Sequence, residues 1–165
     1  MSLRVGQGYD IHRLVPDRPL VLAGVTIPSD LGLEGHSDGD AICHALADAM
    51  LGAASLGDIG KYFPDEDPQY RDANSLGLLE ALAGKLADRG LVVHNADVTA
   101  ILEVPRLGAY RDQMTANLAR ALGVANDRVG VKAKSNEHLG PIGAGEAIAA
   151  LAVVLIGPPD APSDT

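Results

Sequence analysis

The chain is predicted to fold as an α/β (α+β) sandwich, a mixed β-sheet covered by helices in a single domain. Three observations predict it: short strand-like apolar segments lie towards both ends, three segments between carry apolar residues at helical spacing, and Gly, Pro, Asn and Asp punctuate the joins. Leu3 to His12 reads as a first strand, and Leu20 to Ile27, closed by Pro28, as one or two more with a turn or bulge at Gly24. From Asp38 to about Ala54 the residues Ile42, Leu46, Ala49, Met50 and Ala53 recur at helical spacing, and Ser37 followed by Asp40 resembles a capping box. Gly57 to Asn74, rich in Gly, Pro and Asp, reads as a long ordered loop.

A second helix is expected over Ser75 to Arg89, with Leu78, Leu79, Leu82 and Leu86 on one side and Gly90 as its stop. Leu91 to Val104 follows as a strand ended by Pro105. Arg111 to Leu122 is a third helix, its inner face Met114, Leu118, Ala121 and Leu122, its end Gly123. Two strands close the order, at about Arg128 to Ser135 and Glu146 to Ile156. The last is apolar almost throughout, as suits a strand covered on both faces by helices or by another subunit. The single catalytic domain is therefore placed at 1–157. Residues 158–165 are expected to be a flexible tail with little to bury.

The 165 residues are 47% hydrophobic, enough for one ordinary core. A formal charge of -9 would repel nucleic acid and anionic membrane surfaces, so neither is an expected partner. It does not exclude a small anionic ligand, whose charge bound cations can cancel locally. One cysteine, Cys43, permits no intrachain disulfide and suits a reducing, cytoplasmic setting; within its helical pattern it reads as a small buried residue. No segment has the length and apolarity of a membrane helix.

The histidines are His12, His36, His44, His94 and His138, and singly each would read as an ordinary surface or core residue. Asp10 and His12, two apart on a strand, point to the same side, and with His36 or His44 they supply the oxygen and nitrogen donors that zinc favours. Spacing does not decide between His36 and His44 as third ligand. Asp40 and Asp48 lie one turn to either side of His44, where either could orient its second nitrogen, and this favours His44. A second constellation lies near the C-terminus. Lys132 and Lys134 share a strand face, Ser135 offers a hydroxyl, Glu137 is a hard oxygen ligand, and Gly140, Gly143 and Gly145 follow, the parts of a phosphate site or of a hairpin turn.

The strings GQGYDIH, GHSDGDAICHALADAMLGAASLGDIGKYFPD and VKAKSNEHLG closely resemble the 2-C-methyl-D-erythritol 2,4-cyclodiphosphate synthase family of the non-mevalonate isoprenoid pathway, from about Arg4 to Ile156. The resemblance implies a homotrimer with active sites between subunits and a phosphorus–oxygen lyase that turns 4-diphosphocytidyl-methylerythritol 2-phosphate into the cyclic diphosphate and CMP. It implies one zinc per subunit on Asp10, His12 and His44. Magnesium or manganese would sit near Glu137 with the substrate diphosphate, and His36 and Ser135 would be catalytic. His36 and Ser37 would belong to the substrate loop. Asp58, Ile59, Gly60, Phe63, Pro64, Asp65 and Asp67 would wall the methylerythritol part, and Leu102, Pro105, Arg106, Leu107 and Gly108 would meet the cytidine diphosphate. Lys134, Ser135, Asn136 and Glu137 would meet the diphosphate and second metal. Two departures stand out. Ser135 supplies the hydroxyl in a stretch where many members have threonines. Pro141 and Ala144 replace an aromatic residue and an arginine lining a cavity on the trimer axis that can hold an isoprenoid diphosphate, so such a ligand is not expected there.

Overall fold

The computed structural model describes residues 2–64 and 73–160. The elements are β1 (Arg4–Pro16), β2 (Leu20–Leu22), β3 (Val25–Ile27), β4 (Leu31–Leu33), α1 (Ala41–Ala53), α2 (Ile59–Tyr62), α3 (Ser75–Ala87), β5 (Val92–Ile101), α4 (Arg111–Leu122), β6 (Val129–Lys134), α5 (Gly140–Gly143) and β7 (Ala147–Gly157). The main sheet has the order β4-β1-β7-β5-β6, with β2 and β3 as a separate hairpin. All its pairs are antiparallel except β5 with β6, so the sheet is mixed as expected.

Register assigns each residue to a face. Gly6, Val154 and Ala96 share one row, Gly8, Ala152 and Val98 the next, then Asp10, Ala150 and Ala100. This face is buried under α1 on β1 and β7 and under α4 on β6, with α3 between the two helices. The opposite face carries Val5, Tyr9, Ile11, Leu151 and Val153, all exposed. Of the two coverings the apolar last strand allowed, helices supply one, and nothing within the described chain supplies the other.

Two contacts set where α1 sits. A Cβ added at Gly8 would lie 1.9 Å from the Ala45 carbonyl oxygen, and one at Gly6 the same distance from that of Ala49. Helix backbone therefore rests directly on strand backbone. The second contact is Asp40, wholly buried, which caps α1: Oδ1 accepts from Cys43 N (3.1 Å) and Oδ2 from Gly24 N (2.8 Å), tying the β2–β3 turn to the helix start. Burial pushes the Asp40 carboxyl above its usual range. Asp40 is itself the cap, so the box read from Ser37 does not form and Ser37 is left for another task. Cys43 is buried as expected, and burial beside Asp40 pushes its thiol well up.

Several boundaries differ from the sequence reading. β1 runs on to Pro16 because its last residues pair with β4, a strand too short to carry a period of its own. The expected loop from Gly57 contains α2, a single turn capped by Asp58, and the glycines after Leu139 form α5 with Pro141 in its first turn instead of a hairpin. Asp65 and Asp67 lie outside the described residues. The start of the tail is held, since His94 Nε2 donates to the Pro158 carbonyl at 2.9 Å.

Gly8→Ala is expected to force α1 off β1, costing about 2–3 kcal/mol although alanine restricts the unfolded chain. Urea unfolding measures the loss, and bound divalent metal per chain should fall with it because Asp10, His12 and His44 span the same two elements. Unchanged stability and metal content would contradict the backbone contact.

Candidate active site

Asp10 and His12 are the next residues along the row that begins with Gly6 and Gly8. There α1 reaches its first turn, and His44 comes over the strand. Asp10 Oδ2 lies 2.8 Å from His12 Nε2 and 3.0 Å from His44 Nδ1, and the two nitrogens are 3.1 Å apart. The three are the one group of metal-ligating side chains that converges among the described residues, and all are partly buried.

The outer nitrogens decide what this cluster can hold. His12 Nδ1 donates to the Glu34 carbonyl at 2.6 Å, so in a neutral ring Nε2 carries a lone pair. His44 Nε2 lies 3.1 Å from both Ser37 Oγ and Ser75 Oγ. Ser75 Oγ donates its proton to Asp38 Oδ1, while Asp38 Oδ2 accepts from Ser75 N at 3.0 Å, so the Ser75 oxygen accepts from His44 Nε2–H and leaves Nδ1 a lone pair. With both rings neutral, two imidazoles and a carboxylate would thus aim three lone pairs at one another. A divalent cation resolves that conflict, and the donors suit it in number, type and spacing. A proton is the alternative. Burial pushes the Asp10 carboxyl up, yet hydrogen bonds from His12 and His44 outweigh it and hold the group far below the carboxylate range. Burial likewise lowers His12, but the bond and charge of Asp10 prevail and raise it.

Sequence reasoning named Asp40 and Asp48 as partners for the second His44 nitrogen, and neither serves. Asp40 caps α1, and Asp48 Oδ1 accepts from Ile59 N at 2.8 Å, fixing α2 to α1. Ser37 and Ser75 take that place. Ser75 and Asp38 were missed because they join from separate segments, and a serine at a helix start reads first as a cap.

The triad opens into a cleft of about 210 Å³ whose wall includes His36, Ser37, Asp48, Ile59, Gly60, Phe63 and Leu78. His36 and His44 therefore share it: His44 is in the triad and exposed His36 is on the rim. Asp58 and Pro64 do not line it. A second cleft, about 630 Å³, is lined by Leu102, Pro105, Arg106, Leu107, Gly108, Lys134 and Ser135, all expected as site residues from sequence, and by Glu103, within the same stretch, Arg111 and His138, which were not singled out as such. Lys132 is drawn away from this cleft by an ion pair with Asp97. Asn136 and Glu137 do not line it. Ser135 Oγ donates to Glu137 Oε1 at 2.7 Å, and the partly buried Glu103 carboxylate accepts from Asn136 N at 2.9 Å and His138 N at 3.2 Å, holding a turn in which Glu137 and His138 both have positive φ. The two clefts share no lining residue.

The sequence profile of the YgbB family matches residues 3–157, taking in the triad and both clefts. The chain belongs to that family. A protein of Laribacter hongkongensis (strain HLHK9) named 2-C-methyl-D-erythritol 2,4-cyclodiphosphate synthase is 54% identical over 156 residues, 94% of this chain and 96% of its own. A protein of the same name from Burkholderia thailandensis (strain ATCC 700388 / DSM 13276 / CCUG 48851 / CIP 106301 / E264) is 51% identical with the same coverage. A solved 2C-methyl-D-erythritol-2,4-cyclodiphosphate synthase, bound form CDP, superposes with a TM-score of 0.86 at 42% identity, covering 93% of this chain and all of that one. Within this family, the relay behind His44 is expected to govern metal affinity. Ser75→Ala should weaken it about 10- to 100-fold, read by competition with a chelator; an unchanged constant would remove Ser75 from the metal's support.

Proposed function

We infer that this chain converts 4-diphosphocytidyl-2-C-methyl-D-erythritol 2-phosphate into 2-C-methyl-D-erythritol 2,4-cyclodiphosphate and CMP, a lyase step of the non-mevalonate isoprenoid pathway. The observation that carries the reading is the lone-pair triad of Asp10, His12 and His44 opening into a cleft of a YgbB-family chain. The catalytic domain is 1–157. The triad would hold one zinc per subunit, and Glu137 would take magnesium or manganese with the substrate diphosphate; when bound, these cations neutralise phosphate charge and polarise the phosphorus that is attacked.

An oxygen of the 2-phosphate forms a bond to the β-phosphorus, the bond from that phosphorus to the bridging oxygen breaks, and its electron pair leaves with CMP. No general base is required, because the attacking phosphate is ionised near neutral pH. Holding both ends of one molecule makes the encounter intramolecular, and the protein's main contribution is placement. Ile59, Phe63 and Leu78 give the first cleft an apolar wall suited to the methylerythritol carbons, with Asp58, Gly60, Pro64, Asp65 and Asp67 in the same segment. Leu102, Pro105, Arg106, Leu107 and Gly108 take the cytidine diphosphate, Arg106 supplying charge to the phosphates. Lys134, Ser135 and Asn136 face the diphosphate. His36 and Ser135 donate hydrogen bonds that strengthen as the phosphorus becomes five-coordinate.

One substrate must touch the triad and the cytidine segment, which within a chain line different clefts. A homotrimer that brings one subunit's first cleft against its neighbour's second supports both ends at once. The exposed apolar row of Val5, Tyr9, Ile11, Leu151 and Val153 supports burial of that sheet face between subunits.

The test is an assay for CMP release and cyclic product by mass, with and without chelator. His44→Ala should lose bound zinc and cyclisation while the fold persists; full zinc content with normal turnover would overturn the ligand assignment. Ser135→Ala should lower kcat far more than CMP affinity, and equal losses in both would leave Ser135 a binding residue only. Asp10→Ala co-refolded in equal amounts with an Arg106→Ala/Ser135→Ala variant should regain about a quarter of normal activity, since each side of an interface is drawn independently. Activity no higher than either variant alone, in confirmed mixed trimers, would place the whole pocket within one chain.

A further inference from the structure

The active-site loop has an anchor that no motif announces. Arg18 lies in the turn between β1 and β2, where Asp17 has a positive φ, and its backbone is pinned: a Cβ added at Gly32 of β4 would come 2.2 Å from the Arg18 carbonyl oxygen. From that fixed base the guanidinium reaches across. One terminal nitrogen donates to the Gly35 carbonyl at 2.8 Å and the other to the Ser37 carbonyl at 2.7 Å, while Nε is buried without a hydrogen-bond partner among the described residues.

These are the two carbonyls that flank His36. The loop is fastened to the sheet at Glu34, whose N–H donates to the Arg13 carbonyl, and to the start of α3 at Asp38, whose N–H donates to the Ala73 carbonyl. Between them the fork of Arg18 is what holds the backbone. The His36 ring is exposed and has no hydrogen-bond partner among the described residues, so its position is inherited from the backbone that carries it. Ser37 in turn is buried, and its hydroxyl meets His44 Nε2. A single planar group thus sets the frame for the loop's two functional side chains. The buried, unpartnered Nε shows that the side chain is held for this geometry at some cost in solvation.

We propose that Arg18 is the positioning residue of the active-site loop, acting on the reaction through His36 by holding the Gly35 and Ser37 carbonyls. The proposal rests on the reading of His36 as a group that meets the substrate. It identifies Arg18 as a specificity of side-chain shape as well as charge: a lysine presents one ammonium where two carbonyls require a fork.

The test compares Arg18→Ala, Arg18→Lys, His36→Ala and the double variant Arg18→Ala/His36→Ala in the full-length enzyme, with steady-state kinetics, metal content, thermal unfolding and amide hydrogen exchange. Arg18→Ala is expected to lower kcat at least tenfold with a smaller change in KM, because displacement of a positioned group by about 1 Å costs up to roughly a hundredfold in rate. With metal supplied in excess, metal content should stay at the wild-type level because Ser75 still supports His44, and exchange should rise in the 35–38 peptide while β1 and α1 remain protected. Arg18→Lys should recover little of the loss. In the His36→Ala background, removing Arg18 should cost less than about twofold further, since the two act as a unit. Wild-type kcat for Arg18→Ala beside an impaired His36→Ala would overturn the proposal, as would equal losses from Arg18→Ala in both backgrounds. Near-normal turnover of His36→Ala would instead strike the reading beneath it, and the proposal with it, a result the exchange data separate from failure of the clamp.

Discussion

The direct contact of α1 backbone on β1 backbone fixes everything that follows in this structure. Two strand residues advance about 6.6 Å and one helical turn of four residues about 6.0 Å, so the two elements run nearly in step. Gly8 meets Ala45 and Gly6 meets Ala49, with Ala41 and Ala53 continuing the helix side of the seam. No side chain separates them, so their spacing cannot vary with rotamers. The next step along β1 brings Asp10 under the first turn of α1, where His44 descends to meet it. A seam with bulky residues would place the same three ligands on elements several ångströms further apart.

The polar residues at the end of that seam are buried in a chain of consequences. Asp40 must be buried to cap α1 and hold the β2–β3 turn, and Asp38, two residues earlier, must receive Ser75 to start α3 close by. His44 then finds Ser37 and Ser75 behind it, which settles which of its nitrogens faces Asp10. Helix capping, loop anchoring and ligand orientation thus use the same few carboxylates and hydroxyls. Elsewhere the helix-facing rows are glycine, alanine, valine and isoleucine, and the polar chemistry gathers at one end of the sheet.

The three long helices are legible in sequence to within two or three residues because Leu46, Leu79, Leu82, Met114 and Leu118 repeat at the period of their buried faces. Pairing is less legible. β4 exists only because Leu31–Leu33 lie beside the end of β1, and three residues carry no period. The candidate ligands Asp10, His12 and His44 are legible as chemistry, since strand spacing aligns the first two, whereas choosing His44 over His36 needed either the family likeness or the fold. The groups that support them are illegible for a common reason. Ser75, Asp38 and Arg18 act through contacts between segments 17 to 37 residues apart, where side-chain type alone has several ordinary uses. Glu103, which holds the turn after β6 from 33 residues away, belongs with them.

The placement of β7 between β1 and β5 has a consequence for how the chain assembles. β1 carries two residues of the triad, yet along Arg4–Arg13 its hydrogen-bonded partner is β7. Closing that pair requires one of the longest loops the domain can form, and contacts of such sequence separation slow folding. During synthesis the stretch with Asp10 and His12 emerges before β7, its sheet neighbour there among the described residues. Metal that meets the growing chain therefore finds loose donors, and the selective geometry arises only when the two ends of the domain have joined.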